Sequence, residues 1–555
     1  MTPPLKSHTS RAGLPRRGSE FVAERFSHQR HAPVRTKEKP LRVLKFGGTS
    51  VGDAPCMERV VEIVRASAVE SEVVVVVSAM SGVTNKLVAA ASRSEAGDEK
   101  AAAAIFEELR SQHISTSNVL IHAAVERDRF EPKMEELFAA GTRLCEGTAL
   151  LGELTPRTRD AISSLGERLS VLLVAAALAE RGLASQAIEA TELVVTDASH
   201  GAADPCMDQT RRRCEARLRP VLRQGIIPVV TGFIGATADG VLTTLGRGGS
   251  DYSATILGAA LEANEVVIWT DVDGMQTADP RLVPGARTLP EVSYREAAEL
   301  AYFGAKVLHP KTLRPLMHSS IPLWIRNTFA PERPGTKITR AEQTDDAGVK
   351  ALAALSDVAM IAIASPTLAG LPDALSRALR ATAAVQADVL LVSQAASQKD
   401  LRLVIPSALA ERTMESLRRE FVHDLANESS GHIVLDADVA LVTIVGRNMR
   451  SISEAWRGAF RALAAENVNV IAITPGSAQA WLHGSSQGSS HGSPQRSAEC
   501  TMSFVVAKKD ANAAILILHR DLDLADSGPH SFDPDVRSSQ PYYPVQTSQS
   551  SGQKA

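Results

Sequence analysis

LKFGGTSVG, residues 44–52, decides how this chain reads. An apolar lead, a lysine, two glycines and two hydroxyls follow one another within a single short segment. The glycines let backbone amides come close to an anion, and Lys45 supplies positive charge where a terminal phosphate needs it. The spacing is not GxxxxGK[ST], so a P-loop is excluded. Alone, a Gly-Gly turn beside a lysine is ordinary turn chemistry. Its weight comes from the segments that agree with it.

Working outward, LRVLKF predicts a buried strand, and Met57, Val60, Val61 and Val64 fall at helical spacing over 55–68. Residues 73–77 form a second apolar strand ending in SAMSG, with another turn and helix after it. A mostly helical stretch is expected over 98–153, punctuated by Pro132 and Gly141, and a buried helix over 166–181. IIPVVT (226–231) then enters a glycine-rich loop whose end becomes a helix over 253–262, and VVIWT (266–270) enters DVDGMQTADPR. Short apolar strands alternating with helices argue an α/β sandwich with a largely parallel central sheet. Ligands of such a sheet sit at the carboxyl ends of its strands, where all these loops fall.

The chain has 555 residues, enough for three or four domains. A net charge of -3 gives no reason to expect nucleic acid or an anionic membrane as partner. Five cysteines without a CxxC pair fit reduced thiols and a cytoplasmic protein. Apolar runs such as 73–77 are too short to span a bilayer, so no membrane role is expected. Residues 1–40 are arginine-rich without an apolar core, which excludes a secretory signal; a disordered extension is favoured over a transit peptide.

The densest polar cluster is TTLGRGGSDYSA, residues 243–254. Ser250 or Asp251 could simply cap a helix. Capping leaves Arg247, set among glycines, unexplained, and arginine grips carboxylates and phosphates through paired hydrogen bonds. In GERLS (166–170), Glu167 could merely complement a helix dipole; in one pocket with Arg247 it supplies the opposite charge that a zwitterion requires. Asp271, Asp273 and Asp279 lack the EF-hand frame, so a loop against a nucleotide is expected and no dedicated metal site. Lys306, in GAKVLHP, reads by itself as a solvated lysine, and His309 is given no role.

With these segments in order, the chain resembles the aspartate kinases of the amino acid kinase family, which carry C-terminal ACT domains. The matching stretches are KFGGTSV, SAMSGVTN, SLGERLS, TTLGRGGSDYSA, WTDVDGMQTADPR, FGAKVLHP and NTFAPERPGTKI, spread over about residues 41–337. The resemblance implies ATP and Mg²⁺ as cofactors and L-aspartate as substrate, phosphorylated on its β-carboxylate. It implies that Lys45 and Asp251 are catalytic, with Asp251 organising the lysine. Thr84, Glu167, Arg247 and Ser250 would hold aspartate. Lys45, Gly47, Gly48, Ser50, Thr270, Asp271, Arg281 and Lys306 would hold the nucleotide. Gln276 stands where family members often carry tyrosine.

Beyond about residue 348 the composition changes to two βαββ-like units. The expected division is an extension over 1–40, a catalytic domain over 41–340, ACT-like units over 348–430 and 431–520, and a disordered tail over 521–555. A serine- and glycine-rich insertion covers about 480–499 within the second unit. The repeats resemble paired ACT domains, which implies a lysine or threonine effector and a homodimer. Gln394 matches an effector-site glutamine of that branch, whereas the second repeat has Pro475 in the corresponding stretch, which offers neither an amide side chain nor a backbone donor. The rival readings are a non-catalytic amino-acid sensor and a kinase of another small acid. A nicotinamide enzyme is disfavoured because no GxGxxG follows an early strand.

Overall fold

The computed structural model describes residues 39–304, 307–340, 348–364, 371–395, 400–425, 432–447, 453–475 and 501–524. Its first part contains β1 (Leu41–Phe46), β2 (Glu72–Val77), β3 (Ser185–Ile188), β4 (Val195–Thr196), β5 (Ile227–Thr231), β6 (Ile234–Thr237), β7 (Leu242–Thr244), β8 (Glu265–Thr270), β9 (Glu291–Ser293), β10 (Leu323–Asn327) and β11 (Thr336–Thr339). Eight of these form one sheet in the order β3-β5-β2-β1-β8-β10-β11-β9, and β4, β6 and β7 form a small second sheet. In the large sheet only the β10–β11 pair is antiparallel.

The valine run of β2 shows why this sheet is sandwiched. Val73, Val75 and Val77 join one apolar core, while Val74 and Val76 join the other. Side chains alternate along a strand, so a strand apolar at every position must be covered on both faces. The helices Ala54–Glu70 and Leu165–Glu180 pack on one side. Gly249–Ala260 and Tyr294–Tyr302 pack on the other. The expected three-layer α/β sandwich is the fold observed.

Three details of the expected elements change. The stretch 98–153 resolves into helices Glu99–Leu120 and Ala124–Leu151, and the second runs straight through Pro132 and Gly141. Gly141 lies where the helices cross: a Cβ there would come within 2.4 Å of the Phe106 ring and 2.6 Å of Leu165. The helix expected from 253 begins at Gly249, because Gly248 at φ 70° turns the chain into it. The run Pro156–Glu180 is long and apolar enough for a bilayer by composition, contrary to the expectation from short strands, but it is mostly buried against the sheet.

The C-terminal part contains β12 (Gly348–Leu355), β13 (Val358–Ala364), β14 (Leu391–Ala395), β15 (Asp400–Pro406), β16 (His432–Asp436), β17 (Val439–Arg447), β18 (Val470–Pro475) and β19 (Thr501–Ala507). They form sheets β14-β15-β13-β16 and β12-β17-β19-β18. The two units are therefore nested rather than consecutive. β12, placed by sequence in the first unit, is the edge strand of the second sheet, and β16 closes the first sheet although it lies beyond residue 430. The helix Ala511–Asp521 extends past the expected start of the tail, and Leu524 is buried in the second unit's core. The rest of the tail, the insertion at 480–499, Lys306 and residues 1–38 lie outside the described residues.

Candidate active site

The parallel strands β1, β2, β5 and β8 end at one edge of the sheet, and the polar motifs emerge there. At the end of β1, Lys45 is buried at 7% exposure, and its Nζ lies 2.5 Å from Asp251 Oδ1. Asp251 stands in the first turn of Gly249–Ala260, where the helix dipole favours a carboxylate. The cap itself is Gly248 and carries no side-chain hydrogen bond. Asp251 is thus paired with Lys45 and does not cap the helix.

The glycine loop is held open by its own bonds. The Gly47 N–H donates to the Trp269 carbonyl at 3.1 Å, and the N–H groups of Ser50 and Val51 donate back to Gly47 O. Gly48 and Thr49 keep N–H groups with no partner among the described residues. A Cβ on Gly47 would sit 3.4 Å from Lys45 Nζ, and one on Gly48 would sit 3.0 Å from the Ala79 carbonyl. Glycine at both positions thus lets the loop lie this close to Lys45 and to the Ala79 carbonyl. Ser50 departs from the expected phosphate contact: it is fully buried, its Oγ 2.7 Å from Thr328 Oγ1. Its hydroxyl ties the loop to the end of β10.

Glu167 begins Leu165–Glu180 and is 4% exposed, with Oε2 lacking any partner. Burial pushes its carboxyl up to about 8, against the pull of the Ala79 and Glu167 backbone N–H groups and the Lys45 charge. A buried carboxyl with one oxygen left without a partner is costly to ionise unless a cation arrives to pair with it. Gly166 makes this placement feasible, since a Cβ there would be 2.6 Å from Ala79 Cβ. Thr84 stands in the first turn of Val83–Glu95, half-buried.

Arg247 is exposed and has no ion-pair partner among the described residues. Behind it, Ser250 packs so tightly on Gly232 that a Cβ there would lie 2.6 Å away. Phe233 adopts φ 67° and abuts Gly249; sequence reasoning passed over this residue, since nothing in GFIG announces a left-handed phenylalanine. His309 packs its Cβ beneath Gly248 and accepts from the Lys311 N–H at 3.3 Å, a structural role.

At the end of β8, the Thr270 hydroxyl donates to Asp271 at 3.2 Å, and Asp271 is exposed. Asp273 is engaged by Asn327 Nδ2 at 2.7 Å and by Arg333. Arg281 is exposed and pairs with Asp279 in its own loop, 2.5 Å apart. Among the described residues no three acidic, histidine or cysteine side chains converge on a metal position.

This arrangement offers a lysine and open backbone amides to phosphate at a glycine loop, with a buried carboxyl on one flanking helix and an exposed guanidinium on a neighbouring loop. The family model described as Amino acid kinase family matches residues 40–327, and one described as ACT domain matches 442–522. Aspartokinase 1 of Arabidopsis thaliana chloroplasts is 31% identical over 86% of this chain and 79% of its own length. The chain belongs to the amino acid kinase family, among the aspartokinases. The bifunctional aspartokinase/homoserine dehydrogenase of Haemophilus influenzae is 30% identical over 79% of this chain. The chain spans 54% of that protein, about half the length of several curated relatives it matches. Among solved structures, E. coli aspartokinase III with aspartate and ADP superposes with TM-score 0.70 at 29% identity, covering 87% of this chain and all of that one. The same enzyme with lysine and aspartate gives 0.66 over 87% and 99%. The nested sheets place Gln394, itself exposed, on the edge strand β14 beside β18, where Pro475 occupies the end of the opposing edge.

Proposed function

We propose that this chain transfers the γ-phosphoryl group of ATP to the β-carboxylate of L-aspartate, giving 4-phospho-L-aspartate. The observation that carries the reading is the buried Glu167 carboxyl, whose Oε2 has no hydrogen-bond partner among the described residues, a site that favours a cationic group. The substrate's α-ammonium answers it, and Arg247 takes a substrate carboxylate. The attacking carboxylate is ionised near neutral pH, its reference pKa being about 4, so no general base is required. The obstacle is repulsion between two anions. Lys45, aimed by Asp251, and the open Gly48 and Thr49 amides offset that charge along the line of transfer.

The cradle that a Cβ would fill fits nucleotide phosphates, with Thr270 and Asp271 at the neighbouring strand end. Mg²⁺ would be held chiefly by those phosphates and supplies further charge neutralisation. Gln394 and the facing edge of β18 are the proposed place for a lysine effector, and homodimerisation through the regulatory sheets completes the reading. The test is ATP- and Mg²⁺-dependent aspartyl-hydroxamate formation by the purified chain, with glutamate as control and lysine and threonine added separately. Activity with aspartate and little with glutamate is expected; a folded sample inert toward aspartate overturns the assignment. Light scattering with and without lysine checks the dimer.

A further inference from the structure

Asp160 lies outside every motif considered so far, yet it is the most heavily bonded buried carboxylate near the site. It sits on Pro156–Ser163 and is 2% exposed. Its Oδ2 accepts from His200 Nδ1 at 2.8 Å, from the Gly201 N–H at 3.1 Å and from the Thr244 N–H at 3.2 Å. Its Oδ1 accepts from the Thr244 hydroxyl at 2.6 Å. Because a carboxylate only accepts, the imidazole must carry its hydrogen on Nδ1.

Those donors come from two segments that back the Arg247 loop. Thr244 ends β7, three residues before Arg247, and its carbonyl accepts from the Ala203 N–H at 2.9 Å. Gly246, at φ 78°, lies so close to the Gly201 carbonyl that a Cβ would stand 2.8 Å from it. The loop bearing His200 and Gly201 is itself closed by Asp197, whose Oδ1 accepts from the Ser199 and Asp204 N–H groups, each at 3.1 Å. On its other side, Asp160 is joined through Ser164 to Leu165–Glu180, and Glu167 follows two turns later. One carboxylate therefore connects the helix pair carrying the cation-binding Glu167 to the loop carrying the anion-binding Arg247.

We infer that Asp160 is a positioning residue that sets the separation between Glu167 and Arg247, and with it the length of dicarboxylic amino acid accepted. The inference rests on the aspartate kinase reading. A misplacement of about 1 Å at such a site is enough to cost up to roughly 100-fold in rate. Asp160 spends both its oxygens on protein donors, so its loss should act through the elements it joins and on one substrate selectively.

The experiment compares wild type, Asp160→Asn, His200→Ala and His200→Asn in steady-state kinetics with aspartate, glutamate and ATP, beside thermal unfolding. Asp160→Asn is expected to raise the KM for aspartate about tenfold while the KM for ATP moves less than about twofold, and to narrow the preference for aspartate over glutamate. His200→Ala should follow in the same direction, with His200→Asn, which restores a donor near Nδ1, recovering most of the loss. Equal shifts in both KM values, or no change in the aspartate-to-glutamate ratio, would overturn the inference. Should Asp160→Asn not fold, the two His200 variants decide it alone. An active wild type with unaffected variants sinks the inference only; a wild type inert toward aspartate sinks the function reading and the inference together.

Discussion

Glu167 carries a pH signature of its own. Its carboxyl is raised to about 8 by burial, from an ordinary 4.5. Between those values the native, ligand-free protein keeps a proton that the unfolded chain releases, so stability falls as pH rises through the window. Glu167→Gln removes that slope, and its melting temperature should gain on wild type between about pH 6 and about pH 8; parallel curves would refute this. Pairing with an ammonium needs the ionised carboxylate, so aspartate binding near neutral pH should release up to about one proton. Calorimetry in buffers of different ionisation enthalpy reads that number directly. Lys45→Met should lower kcat roughly 100- to 1,000-fold, as for loss of a charge-stabilising donor, with a smaller effect on aspartate KM. It also strands Asp251, whose side chain is 15% exposed, so some loss of thermal stability should accompany it.

Between elements, the site depends on close approaches that only glycine permits. Gly48 presses on the Ala79 carbonyl, and Gly166 presses on Ala79 Cβ and Val83. The SAMSG turn is thus clamped between the glycine loop and the helix bearing Glu167. Gly166→Ala overpacks this contact, at a cost of about 1–3 kcal/mol, and pushes Glu167 away from the Ala79 amide. Denaturant unfolding should show the lost stability, and kinetics a raised aspartate KM; full retention of both would contradict the clamp. Glycine spacing was visible in KFGGTS and GERLS, because glycine at such positions is compositionally obvious. The commitment of the Gly47 amide to Trp269 and of Ser50 to Thr328 was not, because both partners lie more than two hundred residues away.

Across the whole molecule, the loop after β8, proposed to face the nucleotide, is built onto the second ACT-like unit. Ala278 and Val283 share an apolar core with Leu352, Phe504 and Leu518. Thr277, fully buried, shares a 2.9 Å hydrogen bond with His519 Nε2, and its hydroxyl accepts from the Arg287 N–H at 3.0 Å. Its carbonyl accepts from the Leu352 N–H at 2.8 Å on β12. Lys350 adds an ion pair, 2.9 Å long, to the buried Glu296. Thr277→Val leaves the Arg287 and His519 groups unsatisfied, which costs about 1–3 kcal/mol. The expected kinetic result is a raised KM for ATP with aspartate KM unchanged, since Glu167 and Arg247 are untouched. Equal effects on both substrates would show that the contact merely holds the fold.

The local pattern of residues determined the sandwich, because strands apolar at every position must be covered on both faces. It also determined which motifs carry charge: Lys45, Glu167, Arg247 and Asp251 stand out as polar groups in apolar or glycine-rich surroundings. Tertiary structure decided which of them meet. Only the fold brings Asp251 onto Lys45 and Asp160 beneath the Arg247 loop, and only strand pairing assigns β12 to the second regulatory sheet. The physical reason is that hydrogen-bond partners and sheet neighbours are chosen by distance in space. Periodicity along the chain records only which face each side chain will take.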